Sequence, residues 1–538
     1  MTPFGLFPDV LVILGPPLAL PLLFPVLFFA LKRLQGARSP LNVLRGPKSR
    51  SWLFGSTAGI NDPHRLMEDW VAEYGDTMVV EGLLGSRSLL TVDTTALHHV
   101  FSNARTFVRP PAARRTFDSV LGKGLLFAEG EQHRRQRKVI SPAFAPVQVR
   151  AFTEVFVRKS NELRDIWLDL ASKTTRKDGR VKVDGFAWLN KATLDIIGLT
   201  GFDHDFDALH SRSKETDKLY KAFRTVTTQP RSPLTFLLAQ IPGPSFLMRL
   251  GASRERAEAF RYIRTAGYEI VREKRAAVLS AADGRPVGKN EFQNDLLSLL
   301  IKSNLPSDLP TSMRMSDEEI SGQVPTTAVS WTLFALACHT SVQAQLRVEL
   351  LNFPTDTPTM DELNALPMLD RVTREVLRLY APVSMVSRAV TEDTVIPFGK
   401  PFTDKHGVAR TELRISKGDA VIIPIRMLNR SAEVWGEDAQ EFRPERWENL
   451  PESAHALPSI YSNILTFNAG PHACIGFRFS ITEAKALVFA IVRTFEVELA
   501  IQPDDIVRKT AVVGRPFVEG RLRGGVELPL LVRPLSYE

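Results

Sequence analysis

Two cysteines in 538 residues leave little thiol chemistry to choose from. Cys338 and Cys474 form no CxxC pair, so a disulfide framework and a thiolate zinc cage are both excluded. Such sparse use fits a reducing, cytosol-facing environment, where the lone sequon at Asn429 goes unmodified. A strong excess of one charge is missing too. Lys and Arg number 68 against 60 Asp and Glu, a formal net charge of +8 with a pI near 9.4. These cations are spread along the chain, which argues against a nucleic-acid partner. Repeats and low-complexity tracts are absent. At 44% hydrophobic and 24% charged residues the chain is no disordered polymer, and it is long enough to bury a large core.

Long apolar runs are lacking as well, with one exception. Val10 to Leu31 (VLVILGPPLALPLLFPVLFFAL) carries no charge and is about long enough to span a bilayer core. Lys32, Arg33, Arg38 and Arg45 follow, which places that flank on the cytoplasmic side. A cleaved signal peptide fits poorly: the run is too long, and it lacks a preceding basic stretch and a small-residue cleavage site. Four internal prolines point to a kinked or partly interfacial segment. The expected layout is a short segment 1–9, a transmembrane anchor 10–31, a basic linker 32–50 containing Gly46-Pro47, and one large domain 51–538.

Within that domain, apolar periodicity predicts helices over Phe144 to Ala171, Ser253 to Ser280, Ser341 to Leu351, Leu369 to Tyr380 and Ile475 to Phe495. Strand-like runs are fewer: Thr77 to Glu81, Ser88 to Val92, Ala420 to Pro424 and Gly525 to Val532. The expected class is α+β and mainly helical, with a small β region. Cys338, inside the apolar run WTLFALAC, reads as a buried, inert thiol.

Cys474 has a different setting. The segment Phe467-Asn-Ala-Gly470-Pro-His472-Ala-Cys474-Ile-Gly476 is a glycine-bracketed loop that runs into an amphipathic helix. A thiolate there meets little bulk, and backbone donors at a helix N-terminus favour its charge. Such a sulfur can ligate haem iron and push electron density toward bound oxygen.

FNAGPHACIG resembles the haem-binding loop of the cytochromes P450, and three further segments match that family in the expected order. On LDRVTREVLRLY, Glu375 and Arg378 lie three apart on one helix face and can pair. Phe442-Arg-Pro-Glu-Arg446-Trp447 resembles the segment whose arginine completes a structural charge triad with them. GLLFAEGEQHRRQRKVISPAF is similar to the helix where a tryptophan and an arginine reach a haem propionate; here those positions hold His133 and Arg137. Arg388, after APVSMVS, matches another propionate position. His472 stands where the family usually has arginine, which implies a weaker, pH-dependent contact. Arg134, Arg135, Arg137 and Lys138 are expected on the proximal side, toward an acidic reductase surface.

The resemblance covers essentially the whole chain; GEDAQEFRPERWENLP and LDIIGLTGF look like fungal microsomal members. It implies the P450 fold, haem b with Cys474 as axial iron ligand, and a lipophilic small-molecule substrate in secondary metabolite biosynthesis. It also implies electrons from NADPH through cytochrome P450 reductase, with cytochrome b5 as a further partner. The implied location is the endoplasmic reticulum membrane, single-pass, with the haem domain in the cytosol.

One part departs from the family. The distal helix is approached normally by MSDEEISGQVPT, with Ser316 and Glu319 spaced as a capping box, and left normally by TAVSWTLFALA. Related fungal sequences carry about ten residues between these halves, including an Ala/Gly-Gly-x-x-Thr stretch and an acid beside the threonine. The hydroxyls left at the join are Thr326, Thr327 and Ser330, of which Thr326 and Thr327 are the candidates for handling protons. A shortened chain, a genuine variant and a non-catalytic haem protein all accommodate this. Three activities follow: a monooxygenase, a haem-thiolate isomerase or dehydratase, or a haem-binding membrane protein without turnover.

Overall fold

The computed structural model describes residues 27–28, 30–51, 53–56, 63–121, 123–210, 218–219, 221–222, 225, 254–282, 295–298, 326–510, 513–521 and 525–535. Most of the expected anchor, the Ser316/Glu319 capping box and the approach to the distal helix through Pro325 lie outside the described residues. Among the described residues no helix is long and apolar enough to cross a membrane.

The domain expected as one block divides into two compact units, each assembled from separate stretches of chain. Among the described residues, the smaller is built from stretches within 27–113 and 385–424. Its five-stranded sheet has the order Thr77–Glu81, Arg87–Thr91, Ala420–Ile423, Val386–Val390 and Phe107–Val108. Arg87–Thr91 pairs in parallel with Ala420–Ile423, and the remaining neighbours are antiparallel. Helices α1 (Pro63–Tyr74) and α2 (Thr94–Ser102) belong to this unit. Asp93 caps α2 by accepting from the Ala96 amide at 2.8 Å. The same carboxylate accepts from the amides of Gly399 and Lys400, pinning the hairpin Thr394–Thr403/Ala409–Ile415 to that helix start.

The larger unit holds the helices: α3 (Gly130–Ile140), α4 (Pro146–Ser172), α5 (Gly185–Phe202), α6 (Arg254–Ala282), α7 (Thr326–Cys338), α8 (Thr340–Leu351), α9 (Pro367–Leu379) and α10 (Phe477–Thr494). Pro146 and Pro367 start their helices at positions whose amides lack an intrahelical partner in any case. Asp184 caps α5, and Asp203 ends it in the left-handed conformation at φ 51°. Asp203 also meets Lys274 of α6 at 2.8 Å, and the same ammonium reaches Asp295 at 3.0 Å.

The core runs along α10, where residues 481–492 are buried at every position. Its Phe479 ring lies 4.7 Å from that of Phe156 on α4. α7 carries no charge and packs against α5, α9 and α10, as a helix apolar all round must. A three-stranded antiparallel sheet (Val181–Asp184, Pro529–Pro534, Phe495–Leu499) and the hairpin Ile506–Thr510/Gly514–Val518 complete the unit. The α+β, mainly helical reading holds.

Candidate haem-thiolate site

The Cys474 loop is folded by its own backbone. Cys474 N–H donates to the Phe467 carbonyl at 2.8 Å, and Ala473 N–H donates to Gly470 O at 3.0 Å. This tight return needs two residues in the left-handed region, Asn468 at φ 63° and Gly470 at φ 65°. Glycine reaches positive φ without cost, whereas Asn468, at ψ −171°, holds a conformation that is almost confined to glycine and is kept there by the surrounding loop. The Asn468 side-chain amide also donates to His472 O at 3.2 Å. Phe467 is buried, and Gly476 forms the N-cap of α10. The sulfur therefore sits at a helix N-terminus, with the Gly476 amide donating toward it. Cys474 is exposed at the surface of the loop, yet desolvation by its surroundings pushes the thiol pKa up, while that amide and the Arg137 charge pull it down.

Helix α3 supplies the basic groups. Arg137, half-buried, donates from Nη1 to the Ala473 carbonyl at 2.6 Å. Burial lowers its pKa and the nearby Cys474 raises it. His133 and His472 are both buried, with ring centroids 4.1 Å apart. Glu129, just before α3, places Oε2 3.0 Å from His472 Nε2, a neighbour that no sequence motif announced. The structure thus brings His133, Arg137, His472 and Cys474 together. One sulfur met by an amide, beside two imidazoles and a guanidinium, is a donor set suited to an iron and to propionate carboxylates, so these residues fit haem.

Beneath the loop the expected triad is formed. Glu375 and Arg378 are wholly buried and pair in bidentate fashion at 2.8 and 2.9 Å. Arg446 Nε reaches Glu375 at 3.0 Å and Asp438 at 2.7 Å through Nη1. Trp447 Nε1 and the Arg443 amide also donate to Glu375. Arg378 spends its remaining donors on the carbonyls of Asn429, Ala439 and Glu441. Asn429 carries the connection onward. Its Nδ2 donates to Thr466 Oγ1, its Oδ1 accepts from the Leu465 amide, and Phe467 follows. The sequon asparagine is thus wholly buried with its amide engaged, a structural reason for it to stay unglycosylated. The sequon Asn429-Arg-Ser is the one sequence signal that marks it.

Other expected residues lie elsewhere. Thr326 and Thr327 are buried in the first turn of α7, where Ser330 Oγ donates back to the Thr326 carbonyl at 2.8 Å. Arg388 is buried in the strand Val386–Val390 of the smaller unit and donates to the Ser387 carbonyl at 3.1 Å. Cys338, expected to be buried, is exposed. It is the last residue of α7, where the apolar run leaves the core. Of the basic cluster on α3, Arg134 and Lys138 are exposed while Arg137 turns inward.

The cytochrome P450 family model matches residues 44–517. "Cytochrome P450 monooxygenase 205" of Postia placenta is 43% identical over 516 residues, covering 93% of this chain and 94% of the relative. "Cytochrome P450 monooxygenase claU" of Ampulloclitocybe clavipes is 33% identical over 524 residues, 94% and 95% of the two chains. "Ganoderic acid synthetase CYP5150L8" of Ganoderma lucidum is 30% identical over 515 residues, 90% and 92% of the two. The family's cofactor is haem, its iron ligated by a cysteine thiolate. Site geometry and relatives agree, and the chain belongs to the cytochrome P450 family of haem monooxygenases.

Proposed function

We propose that the chain inserts one oxygen atom from dioxygen into a lipophilic small molecule, with haem b held through Cys474. The observation that carries the ligand assignment is the sulfur's setting: a backbone-closed loop, the Gly476 amide donating toward it, and Arg137 beside it. When bound, haem supplies the activation of oxygen, assisted by electron density from its thiolate ligand. Gly470 and Gly476 keep side chains away from the sulfur, and buried Phe467 flanks it. His133, Arg137 and His472 hold propionate carboxylates in this reading; Arg388 joins them on resemblance alone. Glu375, Arg378 and Arg446 stiffen the support under the loop. Thr326 and Thr327 offer the hydroxyls that hold and pass protons on the distal side.

Electrons come from NADPH through cytochrome P450 reductase, with cytochrome b5 as a second donor. Exposed Arg134 and Lys138 support an acidic partner on that face. A role in secondary metabolism is supported by the relative named for ganoderic acid synthesis. Residues 10–31 anchor the protein in the endoplasmic reticulum membrane with the haem domain in the cytosol, supported by the charge-free run and its basic flank. Carbonate extraction that releases the full-length chain would remove this topology.

The reduced carbon monoxide adduct is expected to show the red-shifted Soret band of thiolate ligation. Cys474→Ser abolishes it and Cys338→Ser leaves it intact; an unchanged spectrum in Cys474→Ser ends the assignment. Product that forms without NADPH and dioxygen points to an isomerase or dehydratase instead. Haem binding with no turnover points to a non-catalytic protein.

A further inference from the structure

A cavity opens in the larger unit where three pieces of chain meet: the turn between α7 and α8, the C-terminal end of α9, and the segment from Arg430 to Phe442. Its volume is about 410 Å³, within the range that holds a small molecule. None of its lining residues is among those that would hold haem. Much of the wall is apolar and flat. The Tyr380 ring lies stacked on Trp331 of α7, with centroids 5.0 Å apart and planes at 10°. Across the opening, the His339 ring sits 4.8 Å from that of Phe442, and Leu379 lies between the two pairs in the lining. Such walls accept an aromatic ring by its face or edge.

The polar groups in this lining are held in place. Arg430 donates from Nε to Gln440 Oε1 at 2.6 Å and from Nη1 to the Leu379 carbonyl at 3.4 Å, while Gln440 Nε2 donates back to the Arg430 carbonyl at 2.9 Å. Both partners are neutral, so they fix the guanidinium without cancelling its charge. Arg426 is a second cation whose charge, like that of Arg430, acts on the Tyr380 phenol. Burial pushes the pKa of that phenol up to about 12, so it keeps its proton, and among the described residues no hydrogen bond engages its hydroxyl. His339 Nδ1 donates to the Ala335 carbonyl at 2.8 Å, which leaves Nε2 as the ring's remaining polar atom. The one acid in the lining, Glu441, is exposed at the rim, where water screens its charge. A guanidinium and a phenolic O–H above apolar walls suit an anion with an apolar body.

We propose that this cavity is a binding site for a small aromatic carboxylate, in addition to the haem site. The carboxylate accepts from the Arg430 guanidinium and the Tyr380 hydroxyl, and the ring lies against Leu379 and Phe442. Occupancy has a consequence for the rest of the unit. Leu379 follows Arg378 directly, and the Glu441 carbonyl accepts from Arg378 Nη2 at 3.1 Å. A ligand here therefore braces the charge knot that supports the Cys474 loop, and it is expected to slow haem loss without entering the haem site.

The test titrates the haem-loaded, full-length protein with phenylacetate and with the neutral phenylacetamide, following binding by calorimetry and by the haem Soret band. Phenylacetate is expected to bind saturably without moving the Soret band, which a ligand entering the haem pocket would shift. The amide, lacking the charge, is expected to bind about tenfold more weakly, as is phenylacetate to Arg430→Gln; Tyr380→Phe, which keeps the ring stack, weakens it severalfold. A second readout is Cys338, which is exposed and near enough to act on Tyr380. Its alkylation by iodoacetamide, read by peptide mass, is expected to slow when phenylacetate is bound. The proposal is overturned if phenylacetate shows no saturable binding up to about 10 mM, or binds only with a Soret shift. Equal affinity in the parent, Arg430→Gln and Tyr380→Phe overturns it too. Should Arg430→Gln fail to fold, Tyr380→Phe and the Cys338 protection decide.

Discussion

Two wholly buried glutamates, Glu375 on α9 and Glu483 on α10, stand in opposite electrostatic worlds. Glu375 accepts from Arg378 twice and from Arg446, Trp447 and the Arg443 amide, all within 3.1 Å. Among the described residues Glu483 accepts from nothing of good geometry. Burial is equal in the two, so burial alone does not decide the charge. Donors and counter-charges do, because a carboxylate leaves water only where replacement partners are already fixed. Glu375 pairs with its two arginines and supports the Cys474 loop as a rigid knot. Glu483, whose pKa burial pushes up to about 8, keeps its proton.

The comparison breaks most sharply at Arg378. In Arg378→Met, Glu375 loses its bidentate partner, and the carbonyls of Asn429, Ala439 and Glu441 lose their donor. Breaking a buried ion pair from one side costs about 3–5 kcal/mol. A denaturant titration is expected to show a loss of that order, and the purified protein is expected to contain little thiolate-ligated haem. Retention of both stability and spectrum would show that Arg446 alone suffices for the knot.

A milder cut falls at Asn429, which carries the knot's order to the loop. Asn429→Ala strands the Leu465 amide, at about 1–3 kcal/mol for an unmet buried group, and removes the donor to the Thr466 hydroxyl, which keeps its own bond to the Leu377 carbonyl. The expected result is a measurable drop in stability, with part of the carbon monoxide spectrum moving from the thiolate form to the thiol form. A spectrum that stays fully thiolate would confine Asn429 to a local role.

These sites differ in how far residue order announces them. The Cys474 loop, the Glu375/Arg378 pair and the FRPERW segment are short local patterns, so their chemistry was legible, as were five long helices within about two residues at each end. Asn429 was legible only as a sequon, because its role depends on partners 36 and 37 residues away. Glu483 gave no signal at all. An acid on an amphipathic helix ordinarily faces water, and only the packing of α4, α7, α8 and α9 around α10 buries this one. The division into two units was equally hidden, since each gathers stretches hundreds of residues apart. Strands such as Thr394–Thr403, interrupted by Pro397, Gly399 and Pro401, gave no alternating pattern to read. Cys338 was misread because its apolar run ends where the helix does.

The subtlest way to sharpen the contrast is to vary pH. Glu483 has an ordinary pKa of 4.5 when unfolded and about 8 when folded. Between those values the native chain binds a proton that the unfolded chain has lost. Stability from this group is therefore fully present below about 4.5 and declines as pH rises through about 8. Glu483→Gln replaces the acid with a neutral group of similar shape and removes that dependence. Relative to the variant, the parent is expected to lose thermal stability steadily from about pH 5 to about pH 8 and then to level off. At the acid end both side chains are neutral amide or acid groups in the same place, so the two proteins should melt within a degree or two of each other. Glu375→Gln supplies the opposite reference. There the carboxylate pairs with two buried arginines, and the variant should be destabilised throughout the neutral range because they lose their partner. A Glu483→Gln difference that stays constant across the window would mean that Glu483 is ionised in the folded protein, and the two buried glutamates would no longer differ in kind.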